Sequence, residues 1–313
     1  MANTVLRLGT DDLLRILETV DPVELLAEEL IKRTIGHPER ARDSRGLVPW
    51  IDPATETEYV RYEDPATGLD CAMHAGLLRM VHAAALAALA TRELLVPGGV
   101  TVAMLGTRFA TQAQLAVLAR HVPDIVHVAV RVTDKADGTD ALEPRLIDQL
   151  DLAGIGLSVV PELADSLFGA NLVVAASEDA LTEGVEHATI RDLVRGTVLV
   201  NSSGHDLPAS LLDHVDQIYV DDLALLPEHA DRHIVTRHLA HTTAGPAHNG
   251  TDRQPPAIAA DLGRLLTGAW PGRQQQDDVV VVELLSARTP DLHLAGTIAE
   301  SALRGGLGER VTA

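Results

Sequence analysis

One turn carries the first chemical hint. In VTVAMLGTRFATQAQLAVLA, Val100 to Ala119, an apolar run suited to a buried strand leads into Gly106, Thr107 and Arg108, and a helical pattern follows. A strand, a glycine turn and a helix N-terminus together form a cradle for an anion, because the first backbone N–H groups of a helix lack partners and its dipole is positive there. A dinucleotide turn uses three glycines, for the tight bend, for close approach of a diphosphate and for packing of helix on strand. Those places here hold Gly106, Arg108 and Thr111. Arg108 either points away from the phosphates or lies across them, where a guanidinium can pair with an oxygen. The turn is thus a working cradle, or one that has kept its shape and lost its ligand.

Two other clusters invite chemistry. NSSGHD, 201 to 206, gathers serines, a histidine and an aspartate. Neighbours on one strand end diverge rather than line up as nucleophile, base and orienter, and G-x-S-x-G is absent, so a hydrolase is discounted. His229, His233, His238, His241 and His248 crowd one stretch, and His238 with His241 has a spacing that can share a metal on a helix. No cysteine and no clear acidic partner completes a set, so a solvated loop is expected and no metal.

The surrounding sequence says what positions the turn. DDLLRILETVDPVELLAEELIKRT reads as two helices that open the chain, with Asp21 as N-cap and Pro22 as the first helical residue of the second. The stretch from Gly36 to Gly68 is polar and proline-bearing, with strand-like pieces such as TEYVRYED. Gly76 to Leu95 is a long alanine- and leucine-rich helix that stops at VPGG. Beyond it strands and helices alternate: VTVAML, IVHVAVRV, GLSVV, NLVVAAS, GTVLVNSS, QIYVDD and DDVVVVELL read as strands. This is the rhythm of an α/β, doubly wound parallel sheet. His229 to Pro256 is expected to be an extended surface loop, AIAADLGRLLTGA a helix, and LHLAGTIAESALRGGLG the last helix.

The totals exclude several partners. The 313 residues carry 45 acidic and 25 basic side chains, a formal charge of −20, which repels phosphate backbones and anionic bilayers. No nucleic acid or membrane partner is expected. No apolar run has the length of a membrane span, and the N-terminus lacks the basic start and unbroken apolar core of a secretory signal. One cysteine, Cys71, rules out an intramolecular disulfide framework. Cytoplasmic residence is the default expectation.

Several stretches, in order and spacing over nearly the whole chain, resemble the ornithine cyclodeaminase and mu-crystallin family, which includes cyclodeaminases, ketimine reductases and alanine dehydrogenases of archaeal type. GTRFATQAQLAVL is similar to that family's G-T-G-V-Q-A-R-T-Q-L turn, keeping Gly106, Thr107, Gln114 and Leu115. GTVLVNSSGHDLPASLLD resembles its G-T-H-V-N-A-V-G-A-D-x-P-G-K-x-E-L-D segment at Gly196, Thr197, Asn201, Gly204, Asp206, Pro208 and Asp213. ANLVVAAS, YVDD and the segment from PGRQQQDD onward fit the remaining pattern.

The resemblance implies a Rossmann-like doubly wound sheet over 97–287 and a smaller α+β substrate and dimerisation domain from 1–96 with 288–313. It implies a homodimer, an NAD or NADP cofactor at Gly106, Thr107 and Arg108, and a small amino- or imino-acid substrate. It gives Asp206 the carboxylate that acts on the substrate amine; the alternative is an aspartate that caps the turn before Pro208. It gives Arg79, in LLRMVHAAA, the substrate carboxylate; the alternative is a solvated arginine on an exposed face. Asp134 is the candidate for the adenosine ribose, but Arg131, Thr133 and Lys135 around it equally suit a 2′-phosphate, so NAD and NADP both stay open.

The departures are as informative. The family's substrate lysine has no counterpart; Arg61 is the nearest cationic replacement, or the position is simply lost. His205 takes the place of an alanine, and the C-terminal S-x-G becomes Leu284, Leu285 and Ser286. Imine reduction or amino-acid dehydrogenation is favoured over ornithine cyclisation on these grounds. A non-catalytic relative that binds a ligand or serves as a scaffold is the alternative.

Overall fold

The computed structural model describes residues 4–36, 45–52, 56–133, 142–181, 193–244 and 256–312. Two sheets organise them. The strands β1 (Thr4–Leu8), β2 (Gly46–Ile51), β3 (Glu58–Asp64) and β4 (Leu69–His74) lie in a five-stranded sheet, order β13-β1-β4-β3-β2, completed by β13 (Glu309–Thr312) from the far end of the sequence. A strand therefore precedes the two helices read as opening the chain. Its run TVLRL is only five residues long and its apolar residues do not alternate strictly, so the local pattern does not announce a strand.

The helices α1 (Thr10–Leu17) and α2 (Pro22–Thr34) follow, and Asp21 caps α2 by accepting from the backbone of Val23 and Glu24. The helix α3 (Ala75–Leu94) then runs through both halves of the molecule. Its start, Leu77, Leu78 and Val81, shares a core with the five-stranded sheet, whereas Ala83 to Ala90 and Leu94 are buried in the core of the second sheet. An alanine-rich helix buried on all sides can lie close to its neighbours, which explains its lack of a polar face.

The second sheet is wholly parallel. Its strands are β5 (Val100–Gly106), β6 (Ile125–Val132), β7 (Gly156–Val159), β8 (Leu172–Ala175), β9 (Val198–Asn201), β10 (Gln217–Val220), β11 (Ile258–Asp261) and β12 (Val280–Glu283), in the order β11-β10-β12-β9-β8-β5-β6-β7. Side chains alternate between its faces. Val102 and Met104 of β5 join the core under α3, α4 (Arg108–His121) and α5 (Pro144–Leu152), while Ala103 and Leu105 face α6 (Leu163–Leu167), α7 (Ala209–Leu212) and α8 (His233–Ala244). Burial on both faces makes these strands continuous apolar runs, each large side chain contributing roughly 1.5–3 kcal/mol. The last helix, α10 (Leu292–Gly305), returns to pack on α1, α2, β3 and β4.

Two expectations need correction. AIAADLGRLLTGA is not one helix: Ile258–Asp261 is the edge strand β11, and only Leu262–Leu266, α9, is helical. The stretch expected to be a loop after His229 contains the twelve-residue helix α8, with 245–255 outside the described residues. Both errors have a tertiary cause. The carboxylate of Asp206 accepts from the N–H of His233 and so tethers the start of α8 from far away in the sequence. Among the described residues no helix is long and apolar enough to cross a membrane.

Candidate active site

The sheet order reverses between β5 and β8, and a ligand crevice is expected there, beyond the carboxyl ends of the strands. Gly106 ends β5 with φ +153°, and a Cβ on it would stand 3.1 Å from both the nitrogen and Oγ of Ser177 at the end of β8. The N–H of Thr107 donates to Ser177 Oγ at 3.2 Å, which ties the two strand ends together. Thr107 is the N-cap of α4, and its side chain makes no cap hydrogen bond, so the helix N-terminus keeps donors for a ligand. Arg108, the first helical residue, is exposed.

Below the turn, Thr111 Oγ1 and Gln114 Oε1 are buried without hydrogen-bond partners on one face of α4. Gln114 Nε2 donates to Ser202 Oγ at 2.9 Å, so α4 is also pinned to the end of β9. An uncapped helix N-terminus, a neighbouring guanidinium and the unpartnered Thr111 hydroxyl, which can donate, fit an anionic diphosphate. The missing second and third glycines leave the turn's hydrogen-bonding capacity intact.

The loop after β9 brings in the carboxylate. Asp206 Oδ1 accepts from Arg232 Nε and from the N–H of His233, both at 3.0 Å, with 34% of its side chain exposed. It does not cap the turn before Pro208, and it does not stand alone. Arg232, 8% exposed, also donates to the carbonyls of Gly204 at 2.9 Å and His205 at 2.6 Å and to the carboxyl of Glu283. Asn201 Nδ2 completes the cluster with bonds to His205 O at 2.7 Å and to Glu283 Oε1 and Oε2 at 3.1 and 2.8 Å.

Glu283 ends β12 and is 1% exposed. Burial pushes its carboxyl up to about 8, opposed by Arg232 and Asn201 and reinforced by the negative charges of Asp206 and Asp221. Arg232 and Glu283 are functional candidates that sequence reading missed. Only their convergence on one loop from distant elements reveals them.

The five-stranded sheet meets this crevice through aromatic rings. Trp50 stacks on Tyr59 at 5.4 Å between ring centroids, Tyr59 on His74 at 6.1 Å, and His74 on Phe109, beside Arg108, at 6.3 Å. His74 is also the N-cap of α3, the helix that carries Arg79. The contact brings the start of α3 and the start of α4 to one cleft.

Arg79 donates to both carboxyl oxygens of Glu58, at 3.2 and 3.1 Å, and this pairing holds the Glu58 carboxyl below the usual carboxylate range. It is the two-pronged geometry that a substrate carboxylate would take. Arg61 is committed within its own sheet, to Asp70 at 2.6 Å through Nε and to Glu63 at 3.2 Å. Asp134 lies outside the described residues, as does His248. Of the other histidines, His238 accepts from Ile258 N at 3.2 Å and His233 faces Asp206, and among the described residues no group of three ligands can hold a metal.

A parallel sheet with an anion turn at its switch point and a carboxylate from a neighbouring strand end defines the class of dinucleotide-fold proteins with an added α+β domain. The chain belongs to the ornithine cyclodeaminase/mu-crystallin family, whose model matches residues 31–306. It is similar in fold to a lysine cyclodeaminase that recognises L-lysine, L-ornithine and L-2,4-diaminobutyric acid, with 20% identity, 100% of this chain and 96% of the other covered and a TM-score of 0.66. It is likewise similar to the Thermococcus litoralis Δ1-pyrroline-2-carboxylate reductase in complex with NADH and L-proline, with 13% identity, coverage of 98% and 100% and a TM-score of 0.62. The iminosuccinate reductase of Paracoccus denitrificans, in complex with NAD+, gives 16% identity, coverage of 99% and 100% and a TM-score of 0.64. No curated protein matches the sequence. At these identities the likenesses establish the fold, a Rossmann-like parallel sheet with a smaller mixed domain.

Proposed function

We propose that the chain is an NAD(P)-dependent oxidoreductase that transfers hydride at a nitrogen-bearing carbon of a small amino or imino acid. The observation that carries this reading is the crevice itself, where the uncapped start of α4 at Gly106 and Thr107 is tied through Ser177 to the end of β8, and α4 is tied through Gln114 and Ser202 to the end of β9, whose following loop presents Asp206. Gly106, Thr107 and Arg108 would hold the diphosphate, and the bound cofactor would supply or accept the hydride. Arg79 would orient the substrate by its carboxylate, displacing Glu58 from an identical pair of bonds. Relatives that bind NADH with L-proline, or NAD+ in an iminosuccinate reductase, support imine reduction or dehydrogenation. So does the missing substrate lysine: Lys32 lies on α2, away from the strands, where it pairs with Glu28.

Fluorescence titration with NADH and NADPH is expected to give saturable binding of at least one, with a Kd in a range on the order of 1–100 µM. Absence of binding of either at millimolar concentration would remove the enzymatic reading. Replacing Arg79 with methionine should then raise KM for the amino or imino acid about 10- to 100-fold while leaving kcat within a few-fold, since a charged hydrogen-bonding anchor contributes roughly 1.5–3 kcal/mol. An unchanged KM would show that the carboxylate binds elsewhere. A second reading, a ligand-binding protein without turnover, draws on the engagement of Asp206 by Arg232, and the cofactor titration is its test as well.

A further inference from the structure

His205 makes two contacts through one ring nitrogen, and they require opposite protonation states. Its Nε2 lies 3.1 Å from Arg288 Nη1 and 3.1 Å from Glu178 Oε2. A guanidinium only donates, so the contact with Arg288 needs a bare Nε2. An ionised carboxylate only accepts, so the contact with Glu178 needs Nε2–H. One proton decides between them.

The surroundings hold the ring in place for this exchange. His205 O accepts from Arg232 and Asn201, and His205 N donates to Ser203 Oγ at 3.1 Å, so the backbone is fixed on three sides. Gly204, at φ +74°, has no side chain because the stem of Arg288 occupies that space: a Cβ there would come within 2.3 Å of Arg288 Cγ. Glu178 directly follows Ser177, which touches the Gly106 turn. The ring therefore sits over β9, between a group from the end of β8 and one that follows β12, with 32% of its side chain exposed. Asp206 next to it has one oxygen already filled by two donors.

We propose that His205 carries the proton to and from the substrate nitrogen, with Arg288 holding its neutral form and Glu178 its charged form. The proposal rests on the oxidoreductase reading above. In the reductive direction the nicotinamide cofactor, when bound, would supply the hydride and its electron pair to the C=N carbon, and the π pair of C=N would move to nitrogen. Nitrogen takes the proton from His205 Nε2, and the ring, now neutral, accepts from Arg288 until water returns a proton. Dehydrogenation runs the same steps backwards. The charged groups facing the ring are Glu178 and Arg288, with Asp206 beside it in sequence and Arg232 beneath its carbonyl.

The test uses the full chain and two independent readouts. In nitrogen NMR of the histidine rings, with the His205 signals assigned by their loss in H205A, alkaline wild-type protein should show a bare Nε2. R288A should lose that tautomer preference, and E178Q should weaken the hydrogen bond from Nε2–H that the acidic wild-type protein shows. In turnover, reduction of Δ1-pyrroline-2-carboxylate by NADH or NADPH should fall about 100-fold in kcat for H205A, with KM and cofactor Kd within threefold, and the loss of rate at alkaline pH should disappear. A kcat within threefold of wild type with the alkaline limb intact, or a ring that ignores both R288A and E178Q, would overturn the proposal and leave the oxidoreductase reading standing. A wild-type protein that binds cofactor, shows the ring switch and turns over no imine or amino acid would instead overturn that reading and the catalytic duty of His205 with it.

Discussion

Arg232→Ala is expected to destabilise the protein by about 3–5 kcal/mol, the range found when one partner of a buried ion pair is removed. Four acceptors lose a donor at once: the carbonyls of Gly204 and His205, the carboxylate of Asp206 and the carboxyl of Glu283. Glu283 cannot be rescued by solvent without opening the loop, because it and Arg232 are both buried. The loss should be smaller at pH 6 than at pH 9, since without the arginine Glu283 keeps its proton to a higher pH and the variant then surrenders more stability as pH rises. Denaturant unfolding at the two pH values measures both effects. A loss below about 1 kcal/mol would mean that the loop is held by something other than Arg232.

Glu283 makes the second large prediction. Its carboxyl is raised from an ordinary value of 4.5 to about 8 in the fold, so between those values the folded chain binds more protons than the unfolded one. Stability from this group is therefore fully present below about pH 4.5 and is lost as pH rises through about 8. In Glu283→Gln that dependence should vanish. Below about pH 4.5, where the group is largely protonated in both states, the amide should be within about 1 kcal/mol of wild type; it should melt increasingly above wild type as pH rises to about 9. A difference between the two proteins that stays constant from pH 5 to 9 would show that Glu283 is already ionised throughout.

The parallel sheet, the long α3 and the Asp21 cap were legible in the sequence because each rests on local rules: an apolar run, a helical period, a capping side chain next to its helix. The strand β11 was not. IAAD has helix-favouring alanines, and its strand form comes from pairing with β10 at the sheet edge. The helix α8 was masked by histidines and threonines, and its start is anchored by Asp206, a partner that no local pattern announces. The glycine turn was visible at Gly106, whereas the contacts that fix it, from Ser177 after β8 and from Ser202 after β9 to Gln114, come from distant strands. The ion pairs of Arg61 show the converse limit: a cation of the right type in a plausible place was consumed by neighbours on its own sheet. His205 was noticed only as a substitution for alanine. Its two opposing partners, Glu178 and Arg288, needed three dimensions to find.

The strand order has a consequence for how the molecule comes into being. β12 lies between β9 and β10, although it is made after both and after β11. During synthesis the growing chain must leave a slot in the middle of the sheet until residues 280–283 leave the ribosome, and wedging a late strand into that slot is a long-range, slow event. Glu283 rides on that strand and Arg288 follows it, so Arg232 and His205 each gain one of their partners only at that insertion. A nascent chain would hold the β5, β6 and β8 neighbours of the Gly106 turn while Arg232 still lacked Glu283, and the last strand of the parallel sheet to be made completes both that sheet and the Arg232 cluster.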